Sequence, residues 1–166
     1  MSRPEIIRPF DADSGVSDVG LAEFLGTLHD GISVFGRDMR LKYVNTRLID
    51  MLDMGQITDW PPGTPFEDLL VYLAPREMLG QRNGRTDEQM IAERLEAWGT
   101  ETDRVERRHL ADGRVLDIYR TPTDNEDIIS LHVDVTQEVR NAERIEQQHR
   151  YMVSLLENTT DGIALL

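Results

Sequence analysis

The stretch DGISVFGRDMRLKYVN, at Asp30–Asn45, predicts two antiparallel strands and the helix that follows them. Side chains alternate in character along Gly31–Phe35, which is the two-residue period of a strand. A polar turn at 36–39 separates this strand from a second one at Leu41–Val44. Asn45 then stands where a helix N-cap belongs, because its side-chain oxygen can accept a hydrogen bond from the first helical turn.

Two further helices are predicted by capping boxes, in which an N-cap Thr and a Glu or Gln three residues later exchange hydrogen bonds with the backbone. The first box pairs Thr64 with Glu67, with a proline between them. The second pairs Thr86 with Gln89 and opens a helix that is expected to reach Trp98.

Three strands are predicted next, at about 102–110, 114–121 and 127–134. In the last of them, apolar residues from Ile129 onward alternate with polar residues, so one face of the strand is apolar. The order of two strands, helices and three strands predicts an α+β fold. We expect one antiparallel sheet of about five strands with helices on one face.

The segments on either side of this domain differ in character. Residues 1–16 contain two prolines and no periodicity, and they are predicted to form a flexible arm. Residues 17–29 are predicted to form an amphipathic helix. Its apolar face consists of Leu21, Phe24, Leu25 and Leu28. The domain itself is assigned to residues 30–135, and a further helix to 136–158.

The composition narrows the range of functions. The formal net charge of −13 opposes binding to nucleic acid, because phosphate binding relies on clustered Lys and Arg. The absence of cysteine excludes disulfides, thiolate metal sites and thiol nucleophiles. No apolar run approaches the roughly 20 residues that a membrane span needs. We therefore expect no membrane contact from this segment and a cytoplasmic location.

Catalysis and metal binding have no recognisable motif in this sequence. The histidines, at 29, 109, 132 and 149, are scattered, and we expect them to be structural or exposed rather than ligands. Carboxylates are abundant, but none forms an acid/base pair with a nucleophile. The segment is therefore predicted to be no enzyme and to hold no metal.

One basic concentration occurs in this acidic chain. It comprises Arg104, Arg107, Arg108, Arg114 and Arg120. Strand alternation places Arg107 and Arg108 on opposite faces, so the five cannot form one patch. Two interpretations stay open: pairing of the arginines with Glu106 and Asp117, or an anionic-ligand site that uses one of them.

Four stretches follow one another in order over about residues 24–136. They are DGISVFGRDMRLKYVN at Asp30–Asn45, PPGTPFEDLL at Pro61–Leu70, HLADGRVLDIYRTP at His109–Pro122, and ISLHVDVTQE at Ile129–Glu138. Together they resemble a PAS domain, the small sensory module of bacterial signalling proteins. The resemblance implies a sensor histidine kinase or a diguanylate cyclase whose effector domain lies downstream. A fragment of a transcription regulator, or a purely structural dimerisation domain without ligand, is the alternative.

The resemblance also implies where a signal would arise and leave. A ligand would occupy the apolar space between the sheet and the helices, and the candidate lining is Leu41, Tyr43, Leu70, Met90, Ile91, Ile129 and Leu131. The same residues would equally fill a solid core. The relay into the following helix is assigned to Asp134, Val135 and Thr136. Without a cysteine for a flavin adduct or a histidine on the helix at 86–98 for haem, no such cofactor is expected, and an unknown small molecule is the candidate ligand.

The helix at 136–158 predicts a parallel coiled coil and a homodimer. In a heptad frame Val135, Ala142, His149 and Leu156 take position a, and Glu138, Ile145, Met152 and Thr159 take position d. Val139 and Leu155 widen the stripe. Phe24, Leu25 and Leu28 are expected to add dimer contacts. The alternative is a helix that folds back onto its own domain.

The end of the sequence nearly repeats its beginning. TTDGIALL at 159–166 matches LHDGISVF at 28–35 in its Asp-Gly-Ile core. Because the first copy opens the PAS resemblance, residues 159–166 are interpreted as the truncated start of a second PAS domain. A chance repeat is the alternative.

Overall fold

The structure, a computed structural model, describes residues 28–100 and 104–163. The chain divides into two units, one that ends at Asp134 and one that begins at Val135. Within the described residues, the first unit holds a five-stranded sheet with three α-helices, and the second is one long helix. The predicted arm, most of the predicted helix at 17–29, and with it Phe24 and Leu25, lie outside the described residues.

The elements follow the predicted order. The strands are β1 (Gly31–Phe35), β2 (Leu41–Val44), β3 (Val105–His109), β4 (Val115–Pro122) and β5 (Ile128–Asp134). The helices are α1 (Thr46–Met51), α2 (Phe66–Leu73), α3 (Asp87–Glu96) and α4 (Thr136–Ile163). All strand pairs are antiparallel, in the order β2-β1-β5-β4-β3. The predicted α+β fold is confirmed.

Asn45 fixes the junction between β1 and α1. Its Oδ1 accepts hydrogen bonds from the backbone N–H groups of Leu48 at 3.0 Å and of Ile32 at 2.9 Å, so the predicted N-cap is confirmed. Gly31 allows the close approach of α1, because a Cβ at that position would lie 2.8 Å from Cδ1 of Leu48. The opening stretch therefore determines how the first helix packs on the sheet.

The start of α2 differs from the prediction. Its N-cap is Pro65, and the Oγ1 of Thr64 instead donates to the backbone oxygen of Pro61 at 2.6 Å. The backbone oxygen of Thr64 accepts from the N–H of Leu41 at 2.8 Å. The predicted box of Thr64 with Glu67 is wrong, because bonds to neighbouring segments hold Thr64 in a turn.

The capping box of α3 is confirmed. The backbone N–H of Gln89 donates to Oγ1 of Thr86 at 3.3 Å, and the N–H of Thr86 donates to Oε1 of Gln89 at 2.9 Å. The helix ends at Glu96, two residues before the predicted end. The box thereby fixes the start of the helix that carries Arg94.

Helices α1–α3 cover one face of the sheet, which we call the helix-covered face. The hydrophobic core joins residues of all three helices to Phe35, Leu41 and Leu116 of the strands. Residues directly opposite each other on paired strands share a face. The register therefore shows, for each remaining strand residue, whether it lies on this face or on the opposite one.

The predicted ligand-lining residues are divided between the two faces. Four belong to the core or pack against it: Leu41, Leu70, Met90 and Ile91. Three lie on the opposite face, in register with Val34 or Ile32: Tyr43, Ile129 and Leu131. The seven therefore do not line one space, because the helices cover the polar face of β5 and not its apolar face.

Helix α4 continues through Ile163, beyond the predicted end at 158. Residues 159–163 are helical, whereas the repeat predicted a strand there. A lone strand leaves its backbone groups unpaired, while a helix pairs them internally. The second PAS domain stays a prediction.

Candidate functional site

Charged residues of β3 and a histidine of β5 lie on the helix-covered face. Glu106 pairs with Ile118 across the sheet, and Arg108 pairs with the core residue Leu116. His132 on β5 also pairs with Ile118, from the other side. Glu106, Arg108 and His132 therefore point to the same side of the sheet, toward the helices.

We call these three residues, together with Arg94 and Arg120, the Glu106 cluster. Oε1 of Glu106 accepts a hydrogen bond from Nη2 of Arg108 at 2.8 Å and another from Nη1 of Arg94. Oε2 accepts from Nη2 of Arg120 at 2.7 Å. One carboxylate thus joins arginines from α3, β3 and β4.

Two of the arginines also hold the chain that precedes α3. Nη2 of Arg94 donates to the backbone oxygen of Leu79 at 2.9 Å, and Nη1 of Arg108 donates to that of Met78 at 3.3 Å. The side chains of Arg108 and Glu106 are only 6% and 18% exposed. The cluster is therefore part of the interior of the domain and not a surface ion pair.

Glu106 and Arg108 of the cluster are ionised at neutral pH. Burial would raise the pKa of Glu106, but the positive charges of Arg108, Arg94 and Arg120 outweigh it and lower that pKa well below its usual range. Burial lowers the pKa of Arg108 to about 10, with the charge of Arg94 acting in the same direction and that of Glu106 opposing it. Both groups consequently keep their charges at neutral pH.

His132 is the neutral member of the cluster. Its Nδ1 is buried and has no hydrogen-bond partner among the described residues. Burial, followed by the charges of Arg108 and Arg120, lowers the pKa of His132 to about 3. Because buried polar atoms in folded proteins nearly always have a partner, this nitrogen marks an incomplete hydrogen-bond network.

A cleft leads from the surface to the cluster. It has a volume of about 180 Å³, and its walls include Arg85, Arg94, Glu106, Arg108 and His109. Gly80 also lines it, and a Cβ there would lie 3.1 Å from Cγ of Arg108. Pockets for drug-sized ligands measure roughly 300–1,000 Å³, so this cleft suits a smaller molecule.

Outside the cluster, two of the predicted arginines, Arg107 and Arg114, have ordinary partners. Arg107 binds Asp117 through two parallel hydrogen bonds of 2.7 Å, and these bonds are the main reason why the pKa of Asp117 is lowered. Arg114 donates to Asp112 at 2.8 Å. Arg107 and Arg108 lie on opposite faces of β3, as strand alternation predicted.

The predicted relay residues connect β5 to α4 along the chain, and the predicted dimer residues differ in exposure. Asp134 ends β5, Val135 follows it, and Thr136 begins α4. Of the predicted dimer residues, Leu28 and Val139 are partly buried, and four on α4 are exposed: Ala142, Ile145, Met152 and Leu156. Their role in an interface stays a prediction.

Over residues 28–100 and 104–163 the structure contains neither a candidate metal site nor a candidate membrane-spanning helix. No group of three or more His, Asp and Glu side chains is placed to hold a metal ion. None of the helices in these ranges has the length and apolarity that crossing a membrane requires.

Solved structures similar to this chain share little sequence identity with it. The PAS domain of BvgS from Bordetella pertussis is 18% identical, with 80% of this chain matched to 95% of that chain and a TM-score of 0.42. The PAS domain of an HTR-like protein from Haloarcula marismortui is 15% identical, with shares of 71% and 96% and a TM-score of 0.40. An RNA-binding light-oxygen-voltage receptor is 16% identical, with a TM-score of 0.47; 84% of this chain spans only 39% of that receptor.

No curated protein matches the sequence. The family described as PAS fold matches residues 25–143, a range that contains all five strands and helices α1–α3. The match covers well over half of the 166 residues, and the five-stranded antiparallel sheet is the one that the order of strands and helices in the sequence predicted. The chain therefore belongs to the PAS-fold family.

Proposed function

We propose that this chain is the sensory and dimerising segment of a larger bacterial signalling protein, a sensor histidine kinase or a diguanylate cyclase. PAS domains are sensory modules, and we assign no catalytic role to the segment. In this proposal the PAS domain detects a cytoplasmic signal, α4 transmits it, and an effector domain of the same protein responds.

The observation that carries the proposal is the sequence and exposure of α4. The helix is 28 residues long, which is four heptads, and it follows β5 after the single residue Val135. Three large apolar side chains at a and d positions are more than half exposed: Ile145 at 62%, Met152 at 61% and Leu156 at 62%. Apolar side chains at this spacing are typical of a coiled-coil seam that a second copy of the helix covers.

The seam is only partly apolar, and this suits a relay. Glu138, His149 and Thr159 also occupy a or d positions and weaken the association. Two arrangements of such a helix pair can differ by only a few kcal/mol, so a small change in the sheet can shift their populations. Asp134, Val135 and Thr136 would pass that change from β5 into α4.

The segment lacks the residues that a cysteinyl-flavin adduct or a haem on α3 would need. The sequence has no cysteine, and α3 contains no histidine. We therefore propose that the signal is neither light sensed through a cysteinyl-flavin bond nor a gas sensed through a haem on α3. A small soluble molecule is the signal that fits the segment best.

The proposal is tested by placing charge in the seam. Ile145→Glu combined with Met152→Glu should convert the protein into monomers in analytical ultracentrifugation, because two carboxylates would face their own copies across the interface. The unfolding transition of the PAS domain should be unchanged.

The matched control puts the same two charges on the outward side of the helix. Tyr151→Glu combined with Ser154→Glu changes positions c and f of the heptad and should leave the dimer intact. A dimer that survives the seam substitutions would show that α4 is not the interface. Equal dissociation in the control would attribute the effect to charge in general.

A further inference from the structure

The Glu106 cluster contains more positive than negative charge. Arg94 and Arg108 both donate to the one carboxylate of Glu106, and their side chains are 22% and 6% exposed. Even with Arg120 left aside, two guanidinium groups in the interior share one carboxylate. A charge taken out of water is costly unless it is paired, so an additional anion at this place would be stabilised.

The hydrogen bonding of the cluster is incomplete as well. His132 lies close enough to Arg108, Arg120 and Glu106 for their charges to act on it. Its buried Nδ1 lacks a partner within the described part of the chain. Incomplete charge pairing and an unpaired nitrogen therefore occur in the same cluster.

A small molecule can reach the cluster. The cleft of about 180 Å³ exposes Arg94, Glu106 and Arg108 in its wall, and Arg85, which pairs with Glu93, lies there as well. The planar guanidinium group donates two parallel N–H bonds to the oxygens of a carboxylate or a phosphate. Size, charge and donor geometry all favour a small oxyanion.

We propose that the Glu106 cluster is the sensing site of this PAS domain and that it binds a small oxyanion, a carboxylate or a phosphate, through Arg94 and Arg108. The ligand enters by the cleft beside β3 and takes over part of the hydrogen bonding that these arginines give to Glu106. The role of the ligand as a signal rests on the proposed function above, whereas its binding does not.

The binding is tested by thermal unfolding of the full chain with defined probes at constant ionic strength. Succinate represents carboxylates, inorganic phosphate represents phosphates, and succinamide is an uncharged analogue of succinate. At a hundredfold excess over Kd, the matching oxyanion should raise Tm by roughly 5–10 °C, and succinamide should not change it. The probe that acts identifies the source of the oxyanion. A Tm that responds to neither oxyanion, or equally to succinamide, would overturn the proposal.

Variants separate this site from a general effect of anions. Arg94→Gln should abolish the shift in Tm, whereas Arg37→Gln should keep it, since it makes the same change in an exposed ion pair with Glu126. If Arg94→Gln does not fold, Arg85→Gln at the cleft wall should reduce the affinity. Equal responses of the wild type and the folded cleft variant would overturn the proposal.

A variant of Glu106 has an effect of opposite sign, which a purely structural role would not produce. Glu106→Gln removes the carboxylate that competes with the ligand, so the Kd for the active oxyanion should fall roughly tenfold in isothermal titration calorimetry, about 1.4 kcal/mol. Weaker binding in this variant would contradict the site. The dimer test on α4 needs no ligand, so failure of either test leaves the other result standing.

Discussion

The helix-covered face of the sheet is built differently at its two edges. Near β1 and β2 it is apolar and aromatic: the ring of Phe35 lies 5.1 Å from that of Phe66 and 5.7 Å from that of Trp98, in edge-to-face contacts. At the β3 edge, Glu106 and Arg108 face the same side with their charges buried. One sheet face thus combines an ordinary hydrophobic core with an ionic one.

The two edges contribute differently to the domain. Apolar and aromatic burial is the main favourable term of folding, so the β1–β2 edge supplies stability. A buried ion cluster adds little over well-packed apolar residues, because desolvation offsets the attraction between its charges. The β3 edge is therefore better explained by recognition than by stability, which is the hypothesis that the oxyanion experiment tests.

The largest expected effect comes from removing the carboxylate of the Glu106 cluster while its arginines remain. Glu106→Ala removes the acceptor that three arginines share and leaves their buried charges without it. Breaking a buried pair in this way costs about 3–5 kcal/mol. The free energy of unfolding, measured by urea denaturation at neutral pH, should fall by that amount.

Burial is the reason for this cost, and an exposed pair provides the control. Glu126 accepts a hydrogen bond from Arg37, but their side chains are 67% and 76% exposed. Glu126→Ala should leave the unfolding curve nearly unchanged, because exposed ion pairs contribute little. Similar losses in both variants would mean that burial does not distinguish the two carboxylates.

Much of the fold could be predicted because its signals are local. The cap at Asn45 and the box of Thr86 with Gln89 depend on residues three positions apart, and both were found. The box at Thr64 failed because the N–H and the hydroxyl of Thr64 both donate to the backbone oxygen of Pro61, while Leu41, which is distant in sequence, binds its backbone oxygen. Local patterns therefore predict an element best where no other segment competes for its backbone.

The candidate site could be predicted only in part. Alternation correctly divided β5 into an apolar and a polar face, but it contains no information on which face the helices cover. The apolar face with Leu131 was the natural choice, and the helices cover the face with His132 instead. The buried carboxylate of Glu106 on this face is paired with Arg94 of α3, which belongs to another element. That pairing is tertiary, and no spacing in the sequence indicated it.

The next largest effect concerns the apolar edge. Leu70 on α2 is 2% exposed within the core, whereas the adjacent Val71 is 54% exposed. Leu70→Ala should lower the free energy of unfolding by about 3 kcal/mol through lost burial and a residual cavity. Val71→Ala should have little effect, and it controls for changes in the helix itself. Neither substitution should alter oxyanion binding, since the two edges are expected to act separately. A loss of oxyanion affinity in Leu70→Ala would show that the two edges are coupled.

The smallest expected effect is a dependence of stability on pH that originates at the charged edge. His132 has a folded-state pKa of about 3, against about 6.5 in an unfolded chain. The contribution of His132 to the free energy of unfolding is complete above its unfolded-state pKa. It is lost as the pH falls toward the folded-state pKa, because in this range only the unfolded state binds the proton. Between about pH 7.5 and pH 5 this amounts to a loss of about 2 kcal/mol.

His132→Gln should therefore flatten the dependence of the free energy of unfolding on pH in this window. The pKa of Glu106 is lowered too, but its contribution is lost only as the pH falls below about 4.3, the value in unfolded chains, so the window isolates the histidine. His29→Gln, at an exposed position before β1, is the control. Urea denaturation at several pH values measures the slope. If the slope of His132→Gln equals that of the wild type, then His132 takes up its proton in the folded state as readily as in the unfolded one. The charged edge would then be more open to water than its packing indicates.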